Sequence, residues 1–412
     1  MSDAASRAGL LRALGALLLF SAPLLWFAAL CDGRLFLPAS DLGHTFAKNH
    51  TMALELLATG GTQDAFHPPG YAAFVAGVYG LFGAEPGWVR VVQATLLVVP
   101  IACAAHVGRA LGGDRVAWFA AAAMALHPMS ARYATNLHGD FLCLLAVSLV
   151  AAGAVPALLG RRGAPWVAAV GLALAVWIRP GWALLGPLLV LGSLPLVGPR
   201  RTLRVLAPAA GLSIGALVLN LLWFPPEPGA LVRGSHTASA SLLMGSWQYE
   251  GRWWDWEFLG PGDPNYDRFR AQEDRIIASF PGRGRPHPDV KAAIRTAAWQ
   301  RYNDPARTLK KVGISSVRLW TLFPTGASPP VQFAFLLLDL GVLLLALRGL
   351  LLLRRRSWVL LPFLAVPFLL HALMHVEPRY AAPARAVWFA CAALGLVTPR
   401  GSPPPRPGGR RR

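Results

Sequence analysis

The feature that most restricts how this chain can fold is a series of long apolar stretches that hold almost no charged residues. Hydrophobic residues make up 55% of the 412 residues and charged residues only 14%, against roughly a quarter in a typical soluble domain. Uncharged stretches of about 18 or more residues are typical of helices that cross a bilayer. The sequence therefore predicts an all-α polytopic membrane protein.

About ten of these stretches are expected to span the membrane. They are 10–30, 89–108, 116–132, 140–159, 164–179, 181–197, 205–224, 331–349, 357–375 and 380–397. The first follows two arginines and is long for the apolar region of a secretory leader, so it is interpreted as an uncleaved signal anchor.

The arginines predict the orientation of the spans. The net charge is +19, but the basic residues cluster at alternate joints between apolar stretches rather than on one face, which argues against nucleic acid as a partner. The clusters are Arg7 with Arg12, Arg109 with Arg115, Arg161 with Arg162, 200–204, 354–356 and 410–412. Basic joints usually face the cytoplasm. We therefore expect cytoplasmic termini in a bacterial-type inner or plasma membrane, with membrane lipids as partners.

This orientation divides the chain into four regions. They are an N-terminal membrane region 1–224 with a first outer loop 31–88, a large outer loop 225–330, C-terminal spans 331–397, and a disordered cytoplasmic tail 398–412. Helical patterns within 264–322, separated by the breaker run PGRGRPHP, predict a small helical outer domain. The apolar segment 68–83 is short for a span and fits an interfacial or re-entrant helix.

Polar residues that need an explanation collect on the expected outer side. They are Asp41, His67, Asp140, Arg179, His371, His375, Glu377 and Arg379. Asp41 also suits the N-cap of a short amphipathic helix over 47–57, and an acid at a helix start, as at Asp140, is favoured by the helix dipole. Arg179 runs against the positive-inside trend and is harder to explain structurally.

The stretch LLHALMHVEPRYAAP (369–383) carries the densest polar group. His371 and His375 have the i,i+4 spacing that could ligate a metal, although no third ligand is identifiable; lining a cavity or the headgroup layer is the alternative. Pro378 is expected to break the helix and to leave Arg379 and Tyr380 at the mouth of the last span. A divalent metal stays open as a cofactor.

The arginines and aspartates on the expected outer side suggest phosphate binding and general-base catalysis. An arginine at headgroup level can hold a phosphate through two parallel hydrogen bonds, and an aspartate at the same level can act as a general base for a hydroxyl. The tryptophan-rich run GSWQYEGRWWDWEF (245–258) suits either a sugar ring or anchoring at the bilayer interface.

Four segments, in this order, resemble polyprenol-phosphate-sugar glycosyltransferases of the GT-C fold, such as the protein O-mannosyltransferases and aminoarabinose transferases. They are Asp41 with Phe46 in the first outer loop, HPPGY (67–71) followed by LFG (81–83), the stretch 90–113 leading through MALHPMSARYATNLHGD to Asp140, and EPRYAAPARAVWFACAALGL before the last apolar segment. Together they cover most of the chain, although 225–330 matches only loosely.

The resemblance implies a GT-C-like helix bundle with periplasmic juxtamembrane helices, one of them over 68–83. It implies a membrane glycosyltransferase that moves a hexose or pentose from a polyprenyl-phosphate donor to a protein, lipid or glycan acceptor at the outer face. Asp41 would be the catalytic base and Asp140 a further catalytic acid. His67, Arg379 and Tyr380 would lie near the donor phosphate, with Arg179, Glu377 and His375 in the same site.

Two other functions stay open, and the non-catalytic one rests on a departure from the family pattern. The family often has a glutamate directly after the loop-one aspartate, where this chain has Leu42. A lipid-linked-sugar transporter or flippase, or a non-catalytic cell-envelope assembly protein on the same scaffold, would also fit many spans with polar residues at one end.

Overall fold

The computed structural model describes residues 44–61, 68–135, 137–161, 163–223, 234–250, 263–284, 287–321, 329–374 and 378–398, with eight helical residues between 15 and 28. The described part of the chain is helical and contains no strand. Its first seven helices are α1 (His44–Thr59), α2 (Gly70–Phe82), α3 (Pro86–Leu96), α4 (Val98–Gly112), α5 (Asp114–Leu126), α6 (Pro128–Thr135) and α7 (Asp140–Leu158). The others are α8 (Pro165–Ile178), α9 (Leu185–Trp223), α10 (Gly234–Trp247), α11 (Pro264–Ala278), α12 (Pro288–Tyr302), α13 (Pro305–Arg318), α14 (Pro329–Leu353), α15 (Leu361–His371) and α16 (Arg385–Val397). Short 3₁₀ helices cover Pro180–Leu184, Arg354–Val359 and Pro378–Ala384.

Five helical segments in the described residues are long and apolar enough to cross a bilayer. They are Pro86–Gly112, Asp140–Leu158, Pro180–Leu219, Phe333–Val359 and Tyr380–Val397. Shorter apolar helices cover Gly70–Phe82, Pro165–Ile178 and Leu361–His371. An integral membrane protein with several spans is therefore confirmed, but the expected number of ten is not, and the first expected span lies largely outside the described residues.

Proline and glycine set helix ends that hydropathy did not predict. The expected span 116–132 is wrong at its end, because α5 stops at Leu126 and His127 is extended (φ −74°, ψ 117°) before Pro128. A residue before proline is pushed out of the helical region by the pyrrolidine ring. The long helix α9 breaks at Gly198, whose φ of 75° is left-handed, so its two parts correspond to the expected spans 181–197 and 205–224.

Small residues allow the helices of the bundle to pack closely. A Cβ on Gly153 of α7 would collide with the backbone of Ala168 on α8. Likewise, Gly349 of α14 lies against Cys391, and Gly395 of α16 lies against Leu345. Close backbone approach through glycine is typical of helix association in membranes, where van der Waals contact replaces the hydrophobic effect. These contacts fix α7 against α8 and α14 against α16.

The helices α10 to α13 form the small helical domain expected from the patterns in 264–322. The helices α10, α11 and α12 share a core that contains Leu243, Phe269, Val290, Ile294 and Ala298, all buried. The domain contacts the membrane region where Leu373 and Met374 pack against this core. The domain is therefore fixed to the segment that follows α15.

Two predicted helices of the first outer loop are confirmed. The amphipathic segment 47–57 lies within α1, and 68–83 contains α2. The α1 helix is tied to the start of the α7 region, because Asn49 Nδ2 donates to the Leu137 carbonyl at 2.9 Å. The proposed N-cap at Asp41 lies outside the described residues, and the four-region division stays a prediction.

We predict that Gly349→Ala destabilises the protein by about 1–3 kcal/mol, the usual cost of overpacking, because the new methyl group meets the Cys391 backbone. Gly341→Ala on the same helix is the matched control, since nothing lies within 4 Å of its Cβ position. The melting temperatures of both variants in detergent test this. Equal melting temperatures would show that α14 and α16 do not pack as described.

Candidate active site

The first element of the site is Asp140, which begins α7 and is 2% exposed. Its carboxylate forms an ion pair with the Arg179 guanidinium and lies 2.8 Å from His138 Nδ1. Arg179 follows the last residue of α8, so the pair joins the start of one helix to the end of its neighbour. The predicted positions of both residues at helix ends are confirmed.

The surrounding backbone explains why these ends meet. A Cβ on Gly139 would lie 3.1 Å from Ile178 Cγ2, so glycine lets the two helix ends approach. The preceding segment is held by Gln93, which accepts from the Tyr71 hydroxyl at 2.9 Å and donates to the Ala134 carbonyl at 2.8 Å. Tyr71 of the HPPGY block therefore supports the region of Asp140.

A third segment brings Tyr380 to the same place. The Arg179 guanidinium carbon lies 5.4 Å from the centroid of the Tyr380 ring, within the range of a cation–π contact. Tyr380 stacks on His371, with ring centroids 4.0 Å apart and an angle of 12° between planes. Three residues that the sequence predicted for one site, Asp140, Arg179 and Tyr380, therefore form one cluster with His371.

The Arg179 and Asp140 side chains differ in how far they are exposed. The Arg179 side chain is 25% exposed, whereas the Asp140 side chain is 3% exposed. A buried carboxylate is tolerated when a cation and further hydrogen bonds compensate it, and Arg179 and His138 provide both. The guanidinium can be reached from outside the bundle, while the carboxylate holds it in place.

The domain formed by α10 to α13 lies beside this cluster. The Tyr302 hydroxyl donates to the Leu373 carbonyl, two residues after His371. At the end of α13, Leu319 packs with Ala381, and Trp320 stacks on Trp388 at 4.7 Å. The domain formed by α10 to α13 and the residues directly after α13 thus contact the segment that carries His371 and Tyr380 near both of its ends.

The described part of the tryptophan-rich run makes the following contacts within the domain formed by α10 to α13. Trp247 lies under the Arg301 guanidinium, 3.3 Å from its carbon, and its Nε1 donates to Gln272 at 2.8 Å. Glu250 accepts from Arg301 and from Arg307. Burial lowers the pKa of Arg301, and the Glu250 carboxylate opposes that shift. The two alternatives for the rest of the run stay open, because 251–258 lies outside the described residues.

A second charged cluster lies among the helices and was not singled out from the sequence. His127 Nε2 lies 3.1 Å from Asp339 Oδ1, and Arg385 Nη1 lies 3.3 Å from both His127 ring nitrogens and 3.8 Å from Asp339. All three are buried. The sequence feature that could have revealed this cluster is Asp339, an acid within FLLLDLGVLLL. An ionisable residue inside an apolar span usually pairs with another polar group.

Several predicted site residues cannot be placed. Asp41, His67, His375 and Glu377 lie outside the described residues, as does the side chain of Arg379. The described helix α15 ends at His371 and bends follow through Met374, and the expected shared face with His375 stays a prediction because His375 lies outside the described residues. Among the described residues, no group of three or more His, Cys, Asp or Glu side chains could hold a metal ion.

Solved structures establish the fold. The chain resembles the archaeal oligosaccharyltransferase AglB from Archaeoglobus fulgidus, in complex with an inhibitory peptide and a dolichol-phosphate (15% identity, TM-score 0.51), and the same enzyme tethered with an acceptor peptide (12%, 0.52). The match covers 92% of this chain but only about half of AglB (50% and 49%). ArnT from Cupriavidus metallidurans bound to undecaprenyl phosphate matches at 16% identity and TM-score 0.42, over 92% of this chain and 76% of ArnT.

No protein-family model matches the chain, and no curated protein matches it in sequence. The expected GT-C fold is confirmed by the structural likeness alone.

The buried His127 cluster gives a prediction about stability. Asp339→Leu should destabilise the protein by about 3–5 kcal/mol, because it leaves the Arg385 charge buried without its carboxylate. Asp339→Leu combined with Arg385→Met removes both charges and should recover most of that loss. Melting temperatures of the single and double variants test this, and a double variant no more stable than Asp339→Leu would contradict it.

Proposed function

We propose that the chain is a membrane glycosyltransferase that moves a sugar from a polyprenyl-phosphate-linked donor to an acceptor at the outer face. The observation that carries this is the Arg179 guanidinium, fixed by the buried Asp140 and lying beside Tyr380 at one end of a GT-C bundle. The AglB structures, which hold a dolichol-phosphate or an acceptor peptide, support a lipid-phosphate donor and a separate acceptor for this fold.

The geometry of Arg179 suits a donor phosphate. A guanidinium presents five N–H donors in one plane, and a single carboxylate uses only part of them. N–H groups that face the donor can meet the charge that develops on the phosphate as the sugar leaves. Because the site lies at the end of apolar helices, the isoprenoid chain of the donor can stay in the bilayer while its phosphate reaches Arg179.

Asp140 suits a positioning role in this proposal. Its carboxylate is nearly inaccessible and is held by Arg179 and His138, so it fixes the guanidinium rather than taking a proton from an acceptor. The role of general base then falls to Asp41 in the first outer loop, as the resemblance implies.

The HPPGY block supports His67 as a second group near the phosphate. Gly70 lies against the Trp177 carbonyl, which a Cβ would approach to 2.8 Å. Trp177 is two residues before Arg179, and His67 is three residues before Gly70, a distance that spans at most about 11 Å. Glu377, Arg379 and His375 precede or adjoin Tyr380 in sequence, and we assign them to the same donor site.

We predict that Arg179→Gln lowers kcat about 10²–10³-fold, the usual loss when one fixed donor to a developing charge is removed. Arg179→Lys keeps the charge but loses the planar fork and should be intermediate. The exposed Arg295→Gln on α12 is the matched control. The measurement is consumption of lipid-linked sugars from a native membrane extract by the purified protein in proteoliposomes, followed by mass spectrometry.

A double variant of the Asp140–Arg179 pair distinguishes loss of activity from loss of folding. Asp140→Asn combined with Arg179→Gln removes both charges and should fold, yet stay inactive. No consumption by the wild type, or wild-type consumption by Arg179→Gln, would overturn the proposal. Movement of the lipid across the vesicle membrane without loss of its sugar would identify a flippase instead.

Asp41→Asn tests the base. The amide cannot accept the acceptor proton, so transfer should fall about 10²–10⁴-fold while membrane insertion and donor binding stay unchanged. Asp41→Glu, which keeps the carboxylate, should recover part of the activity. Wild-type transfer by Asp41→Asn would remove Asp41 from the mechanism.

A further inference from the structure

A cavity of about 200 Å³ lies at the end of the bundle opposite Arg179. It is bounded by the C-terminal ends of α4, α7 and α14, and its lining includes the leucines Leu111, Leu159 and Leu353. Two arginines, Arg161 and Arg356, also line it. A space of this size holds more than a single water molecule, so the cavity can accept a small polar group.

Arg161, which lines the cavity, and the neighbouring Arg201 are both held by hydrogen bonds to backbone carbonyls. Arg161 Nη1 donates to the Arg109 carbonyl at 2.9 Å, which joins the turn after α7 to the end of α4. Arg201 Nε donates to the Ala157 carbonyl at 3.1 Å. The Arg201 guanidinium also lies 3.5 Å from the Cβ position of Gly160, a left-handed residue with φ +85° that lines the cavity. The guanidinium groups of Arg161 and Arg201 are thus both held in place near the C-terminal end of α7.

Acidic residues do not balance this charge. Asp114 pairs with Arg109 at 2.8 Å, and both side chains are largely exposed. It is the single acidic residue among the described parts of the joints at this end of the bundle, which are 109–115, 159–164, 198–204 and 354–359. The same joints carry the arginine clusters, so the cavity lies in a region of strong positive potential.

We propose that this cavity binds a phosphate-bearing anion, with the headgroup of an anionic phospholipid in the adjacent leaflet as its source. Guanidinium groups bind phosphate through paired, charge-assisted hydrogen bonds, and the leucines in the lining suit the glycerol and first acyl carbons. Basic cavities between membrane helices are a recurrent form of lipid headgroup site. Bound lipid would join the ends of α4, α7 and α14, and it would stabilise the folded protein by mass action.

This site is separate from the proposed donor site. The helix α7 runs from Asp140 at one end to Leu158 at the other, and its 19 residues cover about 28 Å. The proposal therefore stands independently of the glycosyltransferase function, and its test needs no sugar donor.

The test uses the full-length protein in detergent with dioleoylphosphatidylglycerol, with dioleoylphosphatidylcholine, and with inorganic phosphate. Native mass spectrometry counts retained lipid, and melting temperature reports stabilisation. We expect phosphatidylglycerol to be retained and to raise the melting temperature by several degrees, and phosphatidylcholine to do neither. Arg161→Gln combined with Arg356→Gln should weaken phosphatidylglycerol binding at least tenfold, while Arg115→Gln, an exposed arginine at the same end, should not.

Each outcome decides the proposal. Equal retention of phosphatidylglycerol by the double variant and the wild type would overturn it, as would equal retention of phosphatidylcholine by the wild type. Stabilisation by inorganic phosphate at millimolar concentration, lost in the double variant, would support the anion site with free phosphate as its source. If the double Gln variant does not fold, Arg161→Lys with Arg356→Lys keeps the charge and should bind several-fold more weakly, and undiminished binding there would contradict the proposal.

Discussion

The candidate site depends on the ion pair between Asp140 and Arg179. An arginine at the end of an apolar helix is costly unless a counter-charge fixes it, and the nearly inaccessible Asp140 carboxylate does so from the neighbouring helix. The pair holds the end of α8 to the start of α7 and presents the guanidinium beside Tyr380. Removing either partner would leave the other charge without its compensation and the site without its fixed cation.

Asp140 and Arg179 can form this ion pair because small residues let their helices pack closely. Gly153 lets α7 approach α8, and Gly139 lets their ends meet near Ile178. The same bundle separates two kinds of charge along its length. At one end an arginine is matched to a buried acid and an aromatic ring, and at the other arginines greatly outnumber acids around a cavity. One end thus suits a reactive phosphate and the other an anionic bilayer surface.

Hydropathy predicted the helical membrane fold, and local patterns predicted the helices over 47–57, over 68–83 and within 264–322, because each depends on local composition. Helix ends were harder to predict, since Pro128 stops α5 and α15 ends at His371. The sequence predicted that Asp140, Arg179 and Tyr380 lie at the same membrane surface, but not that they are neighbours. Topology sets which side a residue faces, whereas helix packing sets which residues lie next to it. The buried group of His127, Asp339 and Arg385 was missed because its members come from the joint between α5 and α6, from α14 and from α16, which are far apart in sequence.

In the proposed function, Arg179 holds the phosphate of a lipid-linked donor. A cryo-electron microscopy structure of the full chain with polyprenyl phosphate would show this contact. Phosphate density is expected within about 3 Å of the Arg179 guanidinium, beside the Tyr380 ring, with the lipid tail running between apolar helices. Phosphate density elsewhere on the bundle, with Arg179 contacting only Asp140 and Tyr380, would contradict it.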